Sequence, residues 1–139
     1  MTGLSTLETI VDHRVMLFEL EAHPDNRGDL HSIDFQSLPF EPRRMFFVRP
    51  SRVGETRGGH AHKTAHQLFV CVSGQIEISI AYDGEKASFC LNRSGMAVYL
   101  RPGVWSEQTY LSAEAVLLVL SSESYDPASY SRYPGDPKR

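Results

Sequence analysis

The chain is predicted to be an all-β sandwich or barrel, and three observations point there. Apolar and polar residues alternate with a period of two in several short segments, turn residues recur at close spacing, and no long helical pattern intervenes. The clearest alternation is Gln75 to Tyr82, where Ile76, Ile78, Ile80 and Tyr82 share one face and Gln75, Glu77, Ser79 and Ala81 the other. Before it, VMLFEL (Val15 to Leu20), RMFFV (Arg44 to Val48) and QLFVCV (Gln67 to Val72) read as strands, the last closed by Ser73-Gly74. After it, Asp83-Gly84 is a tight hairpin signal leading into KASFCL. Asn92 to Gly95 and Pro102-Gly103 punctuate two further strands, AVYL and the later AVLLVLS. Helical signals are weak. Thr6 to Val11 is expected to form one turn, and Asp126 to Tyr133 a short C-terminal helix or irregular tail with Pro127 at its first position.

Composition bounds the rest. The 139 residues fit one domain spanning 1–139, with no repeat and no interdomain linker. Fourteen Lys plus Arg against 17 Asp plus Glu give a net charge of −3, which argues against nucleic-acid binding driven by bulk charge. The longest apolar run, Ala115 to Leu120, is far short of the ~20 residues of a membrane span, so no membrane partner is expected. The start of the chain places Glu8 and Asp12 among its apolar residues and does not read as a signal peptide. The two cysteines, Cys71 and Cys90, each sit in a strand-like stretch and read as buried thiols, consistent with the cytoplasm.

Chemistry concentrates in one segment. Three of the six histidines fall in RGGHAHKTAH, and His60 and His62, two residues apart, share one face if a strand carries them. Two imidazoles turned into a barrel point to binding or proton transfer, since their unperturbed pKa lies near ~6.5. His66 joins them only if the strand runs regularly that far.

At these residues the sequence resembles the cupin superfamily, which implies a small jelly-roll β-barrel. Gly54, His60, His62, Gln67 and Gly74 fall at the spacings of the first cupin motif, with Gln67 in the glutamate's place. Gly95 and Gly103 fit the second motif, whereas Arg101, Ser106 and Tyr110 stand where proline, histidine and asparagine occur. A metal cupin uses three His and one Glu. With an amide and a hydroxyl replacing two of these, the set is poor for a divalent metal, and no metal or other cofactor is expected.

DNRGDL, LPFEPRRMFFV, RGGHAHK, QLFVCVSG, PGVWSE and the tail SYDPASYSRY resemble, more narrowly, the nucleotide-sugar 3,4-ketoisomerases of that superfamily, from about Asp25 to Tyr133. These enzymes act on dTDP-4-keto-6-deoxyglucose. The resemblance implies a metal-independent proton shuttle through an enediol, with His60 and His62 handling the proton, His62 foremost, and Arg57 orienting the sugar or balancing charge. It implies substrate contacts from Arg27, Arg44, Lys63, Gln67, Trp105 and Phe47, and a homodimer built by exchange of N-terminal strands. Two departures stand out. The family carries Tyr-Tyr where this chain has Phe46-Phe47, so a site hydroxyl of the family is missing unless Tyr99 or Tyr110 supplies one, and Ser106 replaces a histidine. A dTDP-4-keto sugar 3,5-epimerase-like enzyme and a non-catalytic nucleotide-sugar-binding cupin remain as alternatives, and a metal-dependent cupin oxygenase comes last.

Overall fold

The computed structural model describes residues 4–10 and 13–132; for 4–10 it describes the backbone path alone. Twelve strands and two single-turn 3₁₀ helices account for the regular structure among those residues. The strands are β1 (Leu4–Ile10), β2 (Val15–Asp25), β3 (Gly28–Ser32), β4 (Arg44–Val48), β5 (Thr56–His62), β6 (Gln67–Ser73), β7 (Ile76–Tyr82), β8 (Glu85–Leu91), β9 (Met96–Leu100), β10 (Trp105–Tyr110), β11 (Val116–Ser121) and β12 (Tyr130–Ser131).

Every pairing is antiparallel. The larger sheet runs β1-β2-β9-β6-β11-β4, with β3 hairpinned onto β2; the smaller runs β12-β5-β10-β7-β8. Strict alternation decides how they meet. Ile76, Ile78 and Ile80 of β7 pack with Leu91 of β8 and Tyr110 of β10 against Val15, Leu17, Phe69, Cys71, Val98, Leu117 and Val119 of the larger sheet. This is the jelly-roll barrel expected from the sequence, with its core between the sheets.

The residues of the larger sheet that alternate with these core-facing ones form a second cluster on its outer side. Phe18, Leu68, Val70, Ala97, Tyr99 and Leu120 are covered there by Ile33, Leu38 and Phe40 from the segment after β3. Two expectations change. Thr6 to Ile10 lies in strand β1, paired to β2 in place of the expected helical turn, and Val11 lies outside the described residues. In the tail, the helical signal becomes one 3₁₀ turn, Pro127–Ser129, capped by the Asp126 carboxylate accepting from Ala128 N–H at 3.0 Å; the chain then joins β5 as β12. Tyr133, the expected end of that helix, lies outside the described residues. Among the described residues no helix is long and apolar enough to cross a membrane. Both cysteines are free thiols, Cys71 buried and Cys90 half-buried, and burial pushes the Cys71 thiol up to about 11.

Candidate active site

One end of the barrel opens into a cavity of about 410 Å³ between the sheets. Five of the residues singled out from the sequence line it: Arg44, Arg57, His60, His62 and Gln67. The inward parities of β4, β5, β6 and β10 deliver them, together with Phe46, Phe69, Ser106, Gln108 and Tyr110.

Strand β5 does most of the placing. His60 stands opposite Ser106 and Arg57 opposite Gln108, although the two are three residues apart and a regular strand would turn them to opposite faces. A bulge absorbs the difference: the register slips between Ser106 and Glu107, which face His60 and Gly58. Gly58 and Gly59 have φ of +93° and +81°, and a Cβ at Gly58 would sit 2.8 Å from the Ser106 carbonyl oxygen and 2.9 Å from Gln108 Oε1. The Gly-Gly pair therefore brings Arg57 onto the imidazole face.

The two imidazoles are neighbours, with ring centroids 5.2 Å apart. Tyr130 of the tail completes a three-ring cluster: it stacks on His60 at 4.4 Å with 13° between the planes and meets His62 edge-on at 4.4 Å. Strand register explains its reach, because Tyr130 pairs with His62 across β12 and β5. Lys63 holds that tail down, its backbone N–H donating to Ser129 O at 2.8 Å and its ammonium to Ala128 O at 3.3 Å. At the rim the Arg44 guanidinium lies between the rings of Phe46 and Tyr125, 4.9 and 5.4 Å from their centroids.

The electrostatics keep both imidazoles unprotonated. Burial lowers the pKa of His62 to about 4, helped by the charges of His60 and Arg44. Burial also lowers that of His60, against a backbone hydrogen bond at Gly58 that pulls it upward. Burial pushes the Tyr110 phenol up to about 12, with Arg57 pulling the other way. Among the described residues two buried polar atoms have no hydrogen-bond partner, Arg44 Nε and the Tyr110 hydroxyl. Each such group costs about 1–3 kcal/mol when left unsatisfied, so both mark a surface suited to a polar ligand.

The remaining sequence expectations lie elsewhere in the fold. Phe47 points out of the barrel, 58% exposed, because Phe46 takes the inward parity of β4. Trp105 neighbours Ala61 and Ala81 on the outer side of the smaller sheet, in a groove with Ser79, Lys86 and Ser88. Arg27 is held by Asp25 in the β2–β3 turn, 2.7 Å between charged atoms, and Lys63 is occupied with the tail. His66 lies beyond the end of β5 and on the outer cluster, bonded through Nδ1 to the Tyr99 hydroxyl at 2.7 Å and stacked near Phe40. Tyr99 is thereby committed outside the cavity, and Tyr110 is the one of the two tyrosines that lines it. Tyr130, Tyr125 and Gln108 were not singled out from the sequence; their only signals are the Tyr-rich tail and the parity of β10. No three His, Cys, Asp or Glu side chains come together as a metal site among the described residues.

The fold and the site define a class: a small cupin-type barrel with paired neutral imidazoles and arginines at its mouth. The chain belongs to the family described as FdtA, WxcM-like, C-terminal, whose profile matches residues 13–136. Over 109 residues, 78% of either chain, it is 31% identical to the TDP-4-oxo-6-deoxy-alpha-D-glucose-3,4-oxoisomerase of Aneurinibacillus thermoaerophilus. The crystal structure of QdtA, a sugar 3,4-ketoisomerase from Thermoanaerobacterium thermosaccharolyticum in complex with TDP, superimposes with a TM-score of 0.81 at 32% identity, covering 86% of this chain and 88% of that one. WlaRB, a TDP-quinovose 3,4-ketoisomerase from Campylobacter jejuni, gives 0.79 at 34% identity over 85% and 92%.

Proposed function

We propose that this protein is a 3,4-ketoisomerase of a TDP-linked 4-keto-6-deoxy sugar, moving the ketone from carbon 4 to carbon 3 through an enediolate without a metal. The observation that carries this reading is the His60–His62 pair, both neutral and 5.2 Å apart on one cavity wall. The C4 ketone acidifies the proton on C3, and a neutral imidazole can accept it. The C3–H electron pair then forms the C3=C4 bond while charge moves onto the C4 oxygen. The C3 hydroxyl proton passes to the C4 oxygen, and the proton held by the imidazoles is delivered to the C4 carbon, which leaves the ketone at C3 and a hydroxyl at C4, so no oxidant is consumed. Two adjacent bases suit two proton movements on neighbouring carbons. His62, the more deeply buried, is the main shuttle, accepting the C3 proton as a neutral base and becoming a strong donor to C4 once protonated, with His60 beside it as the second imidazole. Arg57 and Arg44 supply the positive charge that a diphosphate and an enediolate both require, locally and against a net charge of −3.

The test is incubation with TDP-4-keto-6-deoxyglucose in heavy water, followed by NMR of the sugar protons. A 3-keto product with solvent deuterium at C4 is the expected result. Exchange at C3 and C5 together would make the protein an epimerase, and binding without exchange a non-catalytic module. We further propose one cytoplasmic domain acting as a homodimer. The free cysteines support the compartment, and the exposed Met45 and Phe47 on edge strand β4 support self-association, which light scattering checks.

A further inference from the structure

We propose that the Tyr110 hydroxyl is the hydrogen-bond donor to the oxygen on which charge develops during proton transfer; this rests on the isomerase reading above. Three residues of β10 turn into the cavity: Ser106, Gln108 and Tyr110. The first two satisfy each other, Gln108 Nε2 donating to Ser106 Oγ at 3.0 Å. The third does not. Tyr110 is 1% exposed, it lines the cavity, and its hydroxyl has no hydrogen-bond partner among the described residues. A phenylalanine at this position would pack the same ring among Ile76, Leu117 and Val119 with no orphaned donor. The hydroxyl is thus explained by something that enters the cavity.

The chemistry of the group narrows what that is. A phenol held protonated donates one hydrogen bond and brings no charge of its own, which suits a carbonyl oxygen becoming an oxyanion better than it suits a diphosphate. Arg57 lies close enough to favour negative charge at this end of the cavity. No other aromatic of the cavity wall fills the role: Phe46 and Phe69 have no hydroxyl, Tyr125 is 67% exposed at the rim, and Tyr130 presents its ring face to His60, while Tyr99 is bonded to His66 outside the barrel. When the C3 proton leaves and the C4 carbonyl pair becomes O⁻, Tyr110 donates to that oxygen and keeps its own proton. The carbon-bound protons remain with the imidazoles.

Tyr110→Phe tests this. Expected are a kcat lower by roughly 10²–10³-fold, as for loss of one oxyanion donor, a nearly unchanged KM, and an unfolding midpoint equal to or above that of the wild type. Activity within about twofold of wild type overturns the proposal. So does a clearly lower midpoint, which would show that the hydroxyl already has a partner inside the fold. A binding comparison separates this proposal from the isomerase reading. If the wild type turns nothing over, that reading falls, and calorimetry with TDP and with TDP-4-keto-6-deoxyglucose decides the role of Tyr110. A keto-sugar increment in affinity that disappears in Tyr110→Phe supports the donor; an equal increment in both proteins overturns it.

Discussion

Acidification should weaken this fold through His62, and the size of the effect follows from its burial. An imidazole in the unfolded chain takes its proton near pH 6.5, whereas His62 in the fold resists until about 4. Between those values the unfolded state binds more protons than the native one, so stability rises with pH across the window and falls as pH drops. Below both values the loss is complete. The gap of about 2.5 at about 1.36 kcal/mol per pH unit gives about 3 kcal/mol, of which roughly 2 kcal/mol is lost by about pH 4.5. His60 shifts in the same direction and adds to it. Urea unfolding by far-UV circular dichroism, at about pH 7 and about pH 4.5, measures the loss in wild type and in His62→Asn. Carboxylates titrate alike in both proteins, so the difference between the two curves isolates the imidazole. Wild type should lose roughly 2 kcal/mol more than the variant over that interval. Parallel losses would refute the argument, because they would mean His62 protonates in the fold as readily as in the open chain.

Three substitutions probe how the site is held. Gly58→Ala forces φ of +93° on an alanine and drives its Cβ to 2.8 Å from the Ser106 carbonyl; a cost of about 1–3 kcal/mol in thermal unfolding and a fall in activity as Arg57 loses its aim are expected. Tyr130→Leu removes the ring stacked on His60, and steady-state kinetics should show kcat down by about tenfold with the affinity for TDP unchanged. The acid limb of its pH profile should move upward, since both imidazoles become better solvated. Phe47→Ala should leave activity within about twofold, because the ring faces away from the cavity, whereas Phe46→Ala, on the inward face, should lose roughly 1–3 kcal/mol of stability and much of the activity.

What the sequence shows of this fold is set by period two. Ile76, Ile78 and Ile80 alternate with polar residues, so both the strand and its buried face can be read directly. RMFFV shows the strand but not the face, since Met45, Phe46 and Phe47 are all apolar and carry no parity signal; only the pairing of β4 with β11 turns Phe46 to the cavity and Phe47 outward. His60 and His62 were legible because i and i+2 share a face in any strand. Arg57 joins them only through the Gly58-Gly59 bulge, and a bulge is a property of the β5–β10 register. Tyr130 arrives by the same kind of long-range pairing, opposite His62. Arg27 is absent from the cavity wall because it sits in the exposed β2–β3 hairpin turn, where Asp25, two residues away, accepts from its guanidinium. Trp105 follows from Ser106, since a neighbour of an inward residue must face outward once the partner strand is known.

Arg44 ties these features together and yields one more expectation. Its guanidinium is stacked between Phe46 and Tyr125, yet Nε has no partner and no acidic side chain pairs with it among the described residues. A half-buried cation with an orphaned Nε is costly to the free protein, and that cost is offset when an anion enters. Arg44→Met keeps much of the apolar stem and removes the charge. The free variant should be at least as stable as wild type near neutral pH, and its His62 should protonate more readily, because Arg44 is one of the charges that hold the imidazole neutral. Ligand stabilisation is where it should fail. Saturating TDP at about 100 times its Kd raises wild-type stability by about 2.7 kcal/mol, and at that same concentration the variant should gain much less. A variant that gains as much as wild type would show that the diphosphate is held elsewhere, with Arg44 serving only to pack Tyr125 against the rim.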